Sequence, residues 1–312
     1  MIHKPRKKSL MLLKHESLEA RLPSSHPKIP QITSNLKKLS AGYNGEKSVD
    51  YYLSFLDFED YHIFHDIRLP FQNHYFQIDT IILTSYFILL LEIKNIAGTL
   101  YFDPIFKQFI RNKDGIDTGF PNPLLQMKLH KIQLQRWLNH HINIPIYTYL
   151  VISNPQTIVR TSKDNETLNQ AVIHANYLLE KIEQIRRTDP VLPESSLHKI
   201  SKNLLAEHKE LNYPILEKYH ISQNELIRGI ICCRCSFCPV QRVYGTWYCP
   251  SCSFSNENLH QSALNDYYLL INERAMNRQI RQFLQVNSRT VVHRLLKEME
   301  YPLVGFKKSA FY

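Results

Sequence analysis

The apolar positions of residues 77–95 predict a β-hairpin in a buried sheet. Two runs, Thr80–Leu83 and Tyr86–Leu91, are rich in Ile, Leu and aromatic side chains. Thr84-Ser85 lies between them and can form a tight turn, as expected for two paired strands. Charged groups are seldom buried without a partner or a metal ion. The charged residues that interrupt this apolar stretch are therefore candidate functional residues: Asp79, Glu92 and Lys94.

These three side chains suit metal-assisted hydrolysis. Two carboxylates can hold Mg²⁺ or Mn²⁺, which lowers the pKa of a bound water and stabilises charge on a phosphoryl oxygen. Alternation along a strand places Glu92 and Lys94 on one face, and Asp79 can reach the same point from the paired strand. Lys94 could then orient or deprotonate the attacking water. The competing interpretation is structural, with a salt bridge between Glu92 and Lys94 while Asp79 caps a turn.

Four short blocks resemble the nuclease-related domain (NERD) family, which is placed in the PD-(D/E)xK nuclease superfamily with the restriction-endonuclease-like fold. The blocks are Gly42-Tyr43-Asn44-Gly45-Glu46, Gln77-Ile78-Asp79, Leu91-Glu92-Ile93-Lys94-Asn95 with Gly98, and Asn122-Pro123 with Gln126. They occur in order over roughly residues 40–155. The resemblance implies that Asp79, Glu92 and Lys94 are catalytic and that Glu46 and Gln126 support them. By analogy with the superfamily, it also favours DNA over RNA as the substrate.

Periodicity predicts helices and strands that would complete a mixed α/β sheet around the hairpin. The predicted elements are a helix at 45–57, strands at 61–64, 67–71 and 99–102, a turn-rich segment at 103–122, a helix from Pro123 to about His140, a strand at 145–153 and an edge strand at 172–174. Glu46 lies on the apolar stripe of the first helix. It can either benefit from the helix dipole or reach the metal site, and the resemblance favours the second role. Gln126 and His130 lie one turn apart on the later helix, and of the two we retain Gln126, which could hold the water or a phosphate.

Composition and charge favour a polyanionic partner. The formal net charge is +10 and the isoelectric point is about 9.2, which suits nucleic acid but is also common in proteins without such a partner. No apolar run approaches the roughly 18 residues of a membrane-spanning helix. Leu10–Leu13 is too short for the core of a signal peptide. We therefore expect a cytoplasmic protein that does not enter a membrane.

All six cysteines lie between Cys232 and Cys252 and predict a zinc ribbon. Two copies of Cys-x-x-Cys-Ser-Phe identify four candidate ligands of a structural Zn²⁺: Cys232, Cys235, Cys249 and Cys252. Cys238 can replace Cys232, since Cys235 and Cys238 have the same spacing, and Cys233 is spare. Disulfides are the alternative, but a cytoplasmic setting disfavours them. Four side chains of the ribbon could contact nucleic acid, although Trp247 also fits the core of the ribbon: Arg234, Arg242, Tyr244 and Trp247.

The C-terminal residues predict helices that resemble a helix-turn-helix. The pattern gives a first apolar helix from about His260, then Met276–Leu284 and Arg289–Met299, with Ser288 as the N-cap of the last helix. Its apolar side would face inward, and its polar side would carry Arg289, His293, Arg294 and Lys297. Such a helix could enter a major groove, or the pair could simply pack on the ribbon.

We therefore expect a metal-dependent nuclease that hydrolyses phosphodiester bonds, with Mg²⁺ or Mn²⁺ on Asp79 and Glu92. The expected segments are an N-terminal arm at 1–40 broken by prolines, a nuclease-like domain at 41–160, a helical extension at 161–228, a zinc ribbon at 229–256 and a helical module at 257–312. The alternative is a non-catalytic DNA-binding or regulatory protein that retains the nuclease fold.

Overall fold

The computed structural model describes residues 1–138, 144–162, 168–185, 189–272 and 274–299. The chain divides into two units. Unit 1 comprises Met1–Lys8 and Leu39–Leu211, and unit 2 comprises Ser9–Lys38 and the chain from Asn212 onwards. The segment expected to form one N-terminal arm therefore contributes to both units.

Both helices and strands occur along the described residues. In chain order they are β1 (Ile2–Lys4), α1 (Leu10–Arg21), α2 (Ile29–Leu53), β2 (His62–Phe71), β3 (His74–Leu83), β4 (Ile88–Lys94), β5 (Thr99–Phe102), β6 (Phe109–Lys113), β7 (Ile116–Phe120), α3 (Pro123–Trp137), β8 (Ile146–Ile152), β9 (Ile158–Thr161), α4 (Leu168–Ala171), β10 (Val172–His174), α5 (Leu178–Glu183), α6 (Glu194–Glu207), α7 (Ile215–Tyr219), β11 (Gln241–Val243), β12 (Thr246–Tyr248), β13 (Ser255–Asn256), α8 (Leu259–Leu270), α9 (Asn277–Leu284) and α10 (Arg289–Glu298). Short 3₁₀ helices cover Ala175–Tyr177 and Gln223–Glu225.

Unit 1 is built on a mixed sheet of strand order β1-β2-β3-β4-β8-β10. The predicted hairpin is present, since β3 and β4 pair antiparallel with Thr80 opposite Leu91. Strand β4 also pairs parallel with β8, which places it inside the sheet. The predicted edge strand at 172–174 is β10, which pairs parallel with β8. The mixed α/β class predicted from the sequence is confirmed.

Both faces of this sheet are covered by helices, which explains why β4 is apolar on both sides. Ile88 and Leu90 belong to a core that includes residues of α3 and α6. Leu89 and Leu91 belong to another core, which includes residues of α2 and α5. The end of β4, where Glu92 and Lys94 lie, is therefore held in a fixed position between packed layers.

A second sheet of order β7-β6-β5-β9 belongs to the same unit. Residues 103–122 were expected to be turn-rich, but they contain the hairpin of β6 and β7. The strands escaped prediction because they are short, polar and largely exposed. The turn signal Asp114-Gly115 was present, and both residues take the positive φ that such hairpin turns need.

Helix α2 corrects two expectations from the sequence. A loop was expected after Pro23, Pro27 and Pro30, and a helix at 45–57, but a single helix runs over Ile29–Leu53. Pro30 is compatible with this helix because it lies in the first turn, where no intrahelical N–H is required. Helix α3 begins at Pro123 as predicted and extends to Trp137, and the predicted end at about His140 lies outside the described residues.

Unit 2 contains the cysteine-rich segment and the C-terminal helices. Strands β11, β12 and β13 form a three-stranded antiparallel sheet. One core joins residues of this segment, including Trp247, to α8, α9 and α10. Ser288 caps α10, since its side chain accepts a hydrogen bond from Val291 N as expected. The predicted module beyond Met299 lies outside the described residues, and within those described no helix has the length and apolarity needed to cross a bilayer.

Candidate functional site

The β3–β4 hairpin brings Asp79, Glu92 and Lys94 together at one end of the sheet. Asp79 Oδ2 accepts a hydrogen bond from the backbone N–H of Ile93, 2.8 Å away. Lys94 Nζ donates to Glu92 Oε1 at 2.5 Å. Glu92 is only 3% exposed, whereas the Lys94 side chain is 30% exposed. A buried carboxylate thus faces the ammonium group of a partly exposed lysine.

Helix α2 reaches this point because Gly45 packs against the residue that follows β4. A Cβ at Gly45 would overlap Asn95 Cβ and lie 2.8 Å from Ser153 Oγ. The Asn95 amide donates to Ala41 O at 2.8 Å, which ties the same helix to the same segment. This close contact places Glu46, the next residue of α2, beside the end of the hairpin.

Arg6 links α2 to strands β2 and β3. Its Nη1 donates to Glu46 Oε2 at 2.5 Å, and its Nε donates to both Asp50 oxygens at 3.1 Å. Its Nη2 lies 2.9 Å from His65 Nδ1 and 3.0 Å from Thr80 Oγ1. The Arg6 side chain is 2% exposed. These contacts fix the carboxylate of Glu46 next to the hairpin.

The charged groups of the site influence one another strongly. Burial raises the pKa of Asp79 well above its usual value, and Glu92 and Glu46 raise it further, against Lys94 and the Ile93 N–H. Burial also raises the pKa of Glu46 to about 7, although Arg6 opposes this. For Lys94, burial alone would lower the pKa, but Glu92, Asp79 and Glu46 outweigh it and raise the pKa. Three carboxylates near one ammonium group are an environment that a divalent cation would stabilise.

The three carboxylates each form their hydrogen bond through one oxygen, namely Oε2 of Glu46, Oδ2 of Asp79 and Oε1 of Glu92. Within the described residues, the other oxygen of each has no hydrogen bond. The carboxylates are not preassembled as ligands, however, because the described residues contain one group of three or more candidate ligand atoms within 4.8 Å of one another, and that group consists of cysteines. An ion shared by all three carboxylates would therefore require them to move closer together.

The structure places Gln126 and His130 in different surroundings. Gln126 is exposed on α3 and makes no hydrogen bond or ion pair with the carboxylates within the described residues. His130, one turn later, is 9% exposed, and its Nδ1 lies 3.8 Å from Glu92 Oε2. Burial lowers the pKa of His130, with Glu92 opposing and Lys94 assisting. The supporting role implied for Gln126 therefore stays a prediction that no contact with the carboxylates supports within the described residues. His130, which was not retained as a candidate, lies beside Glu92.

Sequence reasoning also missed Arg6 and Asp50. Arg6 belongs to a basic N-terminal run that is typical of an exposed tail, and its partners lie 40 or more positions away. Asp50 carried a usable signal, since it follows Glu46 by four positions on a predicted helix. Two acids on one helical face point to a nearby cation.

The cysteine cluster is formed by two turns of the same geometry. Ser236 N donates to Cys232 O and Ser253 N donates to Cys249 O, both at 2.9 Å. Both serines have positive φ, 61° and 58°. The repeated Cys-x-x-Cys-Ser-Phe sequence thus gives a repeated backbone turn, which directs two thiols of each copy to one point.

Four thiols meet at this point: Cys232, Cys235, Cys249 and Cys252. The Sγ atoms of Cys232 and Cys252 are 3.7 Å apart, and those of Cys235 and Cys249 are 3.5 Å apart. Thiolates around tetrahedral zinc, with Zn–S of about 2.3 Å, would be about 3.8 Å apart, so the four residues fit a structural zinc ion. All six cysteines are free, and Cys238, the alternative ligand, instead donates to Arg228 O at 3.3 Å.

The aromatic and basic residues of the ribbon differ in exposure. Trp247 is 2% exposed, and its indole N–H donates to His260 Nδ1 at 3.1 Å, so it belongs to the core. The Arg242 guanidinium lies 4.8 Å from the centre of the Trp247 ring. Tyr244 is fully exposed at the tip of the β11–β12 hairpin, and Arg234 is also exposed. Tyr244 and Arg234 therefore remain available to a partner.

With this geometry in place, comparison with known families finds a match within unit 1. Residues 41–153 match the family described as NERD, the nuclease-related domain. The chain therefore carries a nuclease-related domain, which confirms the resemblance drawn from the four sequence blocks and indicates a nuclease-related function. The matched segment contains Glu46, Asp79, Glu92, Lys94 and Gln126. Neither the curated proteins nor the solved structures contain a match to the chain.

Proposed function

We propose that the chain is a metal-dependent nuclease that hydrolyses phosphodiester bonds, with DNA as the substrate. Unit 1 would have the restriction-endonuclease-like fold of the PD-(D/E)xK superfamily. The observation that supports this proposal best is the location of two like-charged carboxylates, Asp79 and Glu92, beside Lys94 within the nuclease-related segment. Clusters of perturbed titratable groups of this kind are typical of active sites.

The proposal assigns a role to each side chain. Asp79 and Glu92 would hold Mg²⁺ or Mn²⁺ through the oxygens that form no hydrogen bond within the described residues, Oδ1 of Asp79 and Oε2 of Glu92, the second of which lies beside His130. The ion, when bound, would supply a more acidic water and positive charge beside the phosphate. Lys94 enters the reaction as an ammonium ion because its pKa is raised, so it would first orient the water or a phosphate oxygen. Glu46 would complete the negative cluster, and Gln126 would approach from α3 once substrate is present.

The cysteine cluster and the helices of unit 2 would position the domain on nucleic acid. Zn²⁺ on the four cysteines would be structural, since a site with four protein ligands leaves no position for substrate. Helices α9 and α10 would act as a helix-turn-helix-like module. Its exposed α10 side chains include Arg289, His293 and Lys297.

A second candidate function is a non-catalytic nucleic-acid-binding or regulatory protein that retained the nuclease fold. One observation favours it. Lys94 Nζ lies 2.5 Å from Glu92 Oε1, and Arg6 Nη1 lies 2.5 Å from Glu46 Oε2. In this arrangement the amine and guanidinium groups neutralise the acids, and no ion is needed for stability.

Cleavage assays test the proposal directly. Purified protein is incubated with plasmid, linear and single-stranded DNA in Mg²⁺ or Mn²⁺. We expect Glu92→Ala and Lys94→Ala to abolish cleavage. Lys209→Ala is the matched control, because Glu207-His208-Lys209 is a second Glu-x-Lys sequence whose lysine is exposed and forms no ion pair with Glu46, Asp79 or Glu92 within the described residues. Cleavage that persists in Glu92→Ala would remove the mechanism.

Metal binding separates the two candidates. Calorimetry with Mn²⁺ should show binding that Asp79→Asn abolishes. Asp114→Asn, in the exposed β6–β7 turn, should bind as the unaltered chain does. If Mn²⁺ binding is absent or does not depend on Asp79, the non-catalytic function is the correct one.

A further inference from the structure

Helix α9 and the turn after it form a polar cavity of about 430 Å³ within unit 2. Its lining residues are Arg278, Arg281, Gln282, Gln285, Val286 and Asn287. The first four recur every three or four positions, so they share one face of the helix. Ile280, Phe283 and Leu284 are buried on the opposite side. The packing of α9 therefore turns Arg278 and Gln282 to the surface, and Arg281 is partly buried beside them.

The turn that closes the cavity has a fixed shape. Gln285 ends α9 in the left-handed conformation, with φ of 57°. Val286 N donates to Arg281 O at 3.0 Å, and Arg281 Nη1 donates to Asn287 O at 3.0 Å. Arg281 is thus held across the turn and does not need to be ordered by a ligand.

Arg281 has an unused donor. Its Nε is buried and has no hydrogen-bond partner within the described part of the chain. A buried donor without an acceptor destabilises the fold, and a shift of the Arg281 side chain that lets an anionic oxygen accept the bond would remove that cost. Both charged groups among the lining residues are guanidinium groups, which recognise phosphate geometrically as well as electrostatically.

The surrounding charge is positive. Residues 277–298 contain five Lys or Arg residues and one acidic residue, Glu298. Glu298 lies 3.5 Å from Arg294 and so is already partly neutralised. An excess of cations along one helix pair raises the local concentration of a polyanion.

We propose that this cavity binds a phosphate group in the backbone of a nucleic-acid strand. The inference rests on the proposed function, because it names the element with which the chain would hold its substrate. The lining residues are arginine, glutamine, asparagine and valine, so they offer hydrogen-bond donors for a phosphate but no aromatic surface for stacking a base. The contact therefore stabilises binding without selecting a sequence.

Binding is measured apart from cleavage. Zinc-loaded full-length protein carrying Glu92→Ala is titrated onto a fluorescent DNA duplex without Mg²⁺, and anisotropy gives Kd between 50 and 200 mM KCl, where phosphate contacts dominate the salt dependence. Arg278→Gln should weaken binding by roughly three- to tenfold and reduce the slope of log K against log salt by about 0.9. Two duplexes of unrelated sequence should be affected equally.

Lys37→Gln is the matched control. Lys37 is an exposed cation of unit 2 on helix α2 and does not line the cavity, so the same charge is removed at another position. An equal loss in both variants, or no loss in Arg278→Gln, would overturn the proposal. Arg281→Lys should also weaken binding, because lysine keeps the charge but lacks the planar guanidinium group that can form two parallel hydrogen bonds. The zinc content and circular dichroism of this variant verify that the fold is intact.

Free phosphate is the other source of the same chemistry. If inorganic phosphate at constant ionic strength binds the cavity but Arg278→Gln leaves DNA affinity unchanged, the site serves a small anion and the inference is wrong. Failure of the nuclease proposal would give another result. The unaltered protein, which contains Glu92, would then bind DNA through Arg278 without cutting it.

Discussion

At the residue scale, burial and the neighbouring Arg6 keep the ring of His65 neutral. A guanidinium group can only donate, so His65 Nδ1, 2.9 Å from Arg6 Nη2, must accept. The Thr80 hydroxyl lies 3.0 Å from the same nitrogen. Burial, then the charges of Arg6 and Lys4, lower the pKa of His65 to about 3. The buried ring is therefore neutral, and a proton would leave two donors facing each other.

This histidine makes the stability of unit 1 sensitive to acid. An unfolded chain takes up the proton near pH 6.5, but the folded chain does so only near pH 3. The unfolded state therefore binds more protons between these values, and the free energy of unfolding falls as the pH falls below 6.5. At pH 5 the loss from this residue is about 2 kcal/mol.

His65→Asn should remove that component, since its amide oxygen can accept in place of Nδ1 but does not titrate. The free energy of unfolding is measured by urea titration at pH 7.5 and at pH 5. The decrease between these two pH values should be about 2 kcal/mol smaller in His65→Asn than in the unaltered chain. His198→Asn, at an exposed position of α6, is the control. An unchanged pH dependence in His65→Asn would show that another group is responsible.

Single residues were predictable from sequence where their local setting was anomalous. Glu92 and Lys94 drew attention because charges are rare in an apolar strand. Arg6 and His130 did not, because a basic terminus and a polar helix position are both ordinary in sequence. Their roles arise from contacts with residues distant in the chain, which a single sequence does not record.

At the scale of elements, the contact between α2 and the end of β4 depends on the absence of a side chain at Gly45. Alanine there would favour the helix by roughly 0.5–1 kcal/mol. Its Cβ, however, would overlap Asn95 and crowd Ser153 Oγ at 2.8 Å. Overpacking of this kind usually costs about 1–3 kcal/mol, so the overlap outweighs the gain.

We therefore expect Gly45→Ala to lower the free energy of unfolding by about 1–2 kcal/mol and to reduce any cleavage, because Glu46 shifts with the helix. Gly42→Ala is a control on the same helix, since a Cβ there would meet nothing within 4 Å. It should stabilise the protein by up to about 1 kcal/mol. Two variants that change stability in the same direction would contradict this packing argument.

The cysteine cluster gives a second prediction for an element. Cys249→Ser removes one of four converging thiols, and metal binding in such small domains supplies folding energy. Metal analysis should show one zinc per unaltered chain and none in the variant. Trp247 is buried in the ribbon core, so its fluorescence should shift to the red as the ribbon opens. Cys233→Ser, at an exposed thiol outside the cluster, should keep both zinc and spectrum.

Elements were predictable where pattern and packing agreed. The β3–β4 hairpin and β8 are apolar and lie in the core. Helix α3 was located by Pro123 instead, because its apolar residues are divided between core and surface, with Leu125, Leu129 and Ile132 about half exposed. Helix α2 was predicted wrongly because prolines were treated as breaks, whereas Pro30 lies in the first turn of the helix. The β6–β7 hairpin lacked an apolar pattern because it is mostly exposed.

At the scale of the whole molecule, charge and candidate chemistry belong to different units. Unit 2 contains 17 Lys or Arg residues against 9 Asp or Glu, and unit 1 contains 21 against 19. Most of the formal charge of +10 therefore belongs to the ribbon and helices rather than to the nuclease-related domain. Such a distribution suits a binding unit that attracts a polyanion and a second unit that acts on it.

The charge difference predicts unequal effects of equal substitutions. Arg289→Gln with Lys297→Gln removes two exposed cations from α10, and Lys199→Gln with Lys202→Gln removes two from α6 of unit 1. Phosphate contacts each contribute about 0.9 to the salt slope, so the α10 pair should lower affinity for duplex DNA and reduce that slope by up to about 2. The α6 pair should change both quantities little, because those lysines lie where charges nearly balance. Equal effects in the two variants would mean that the net charge alone attracts the nucleic acid, and unit 2 would then have no special part in holding it.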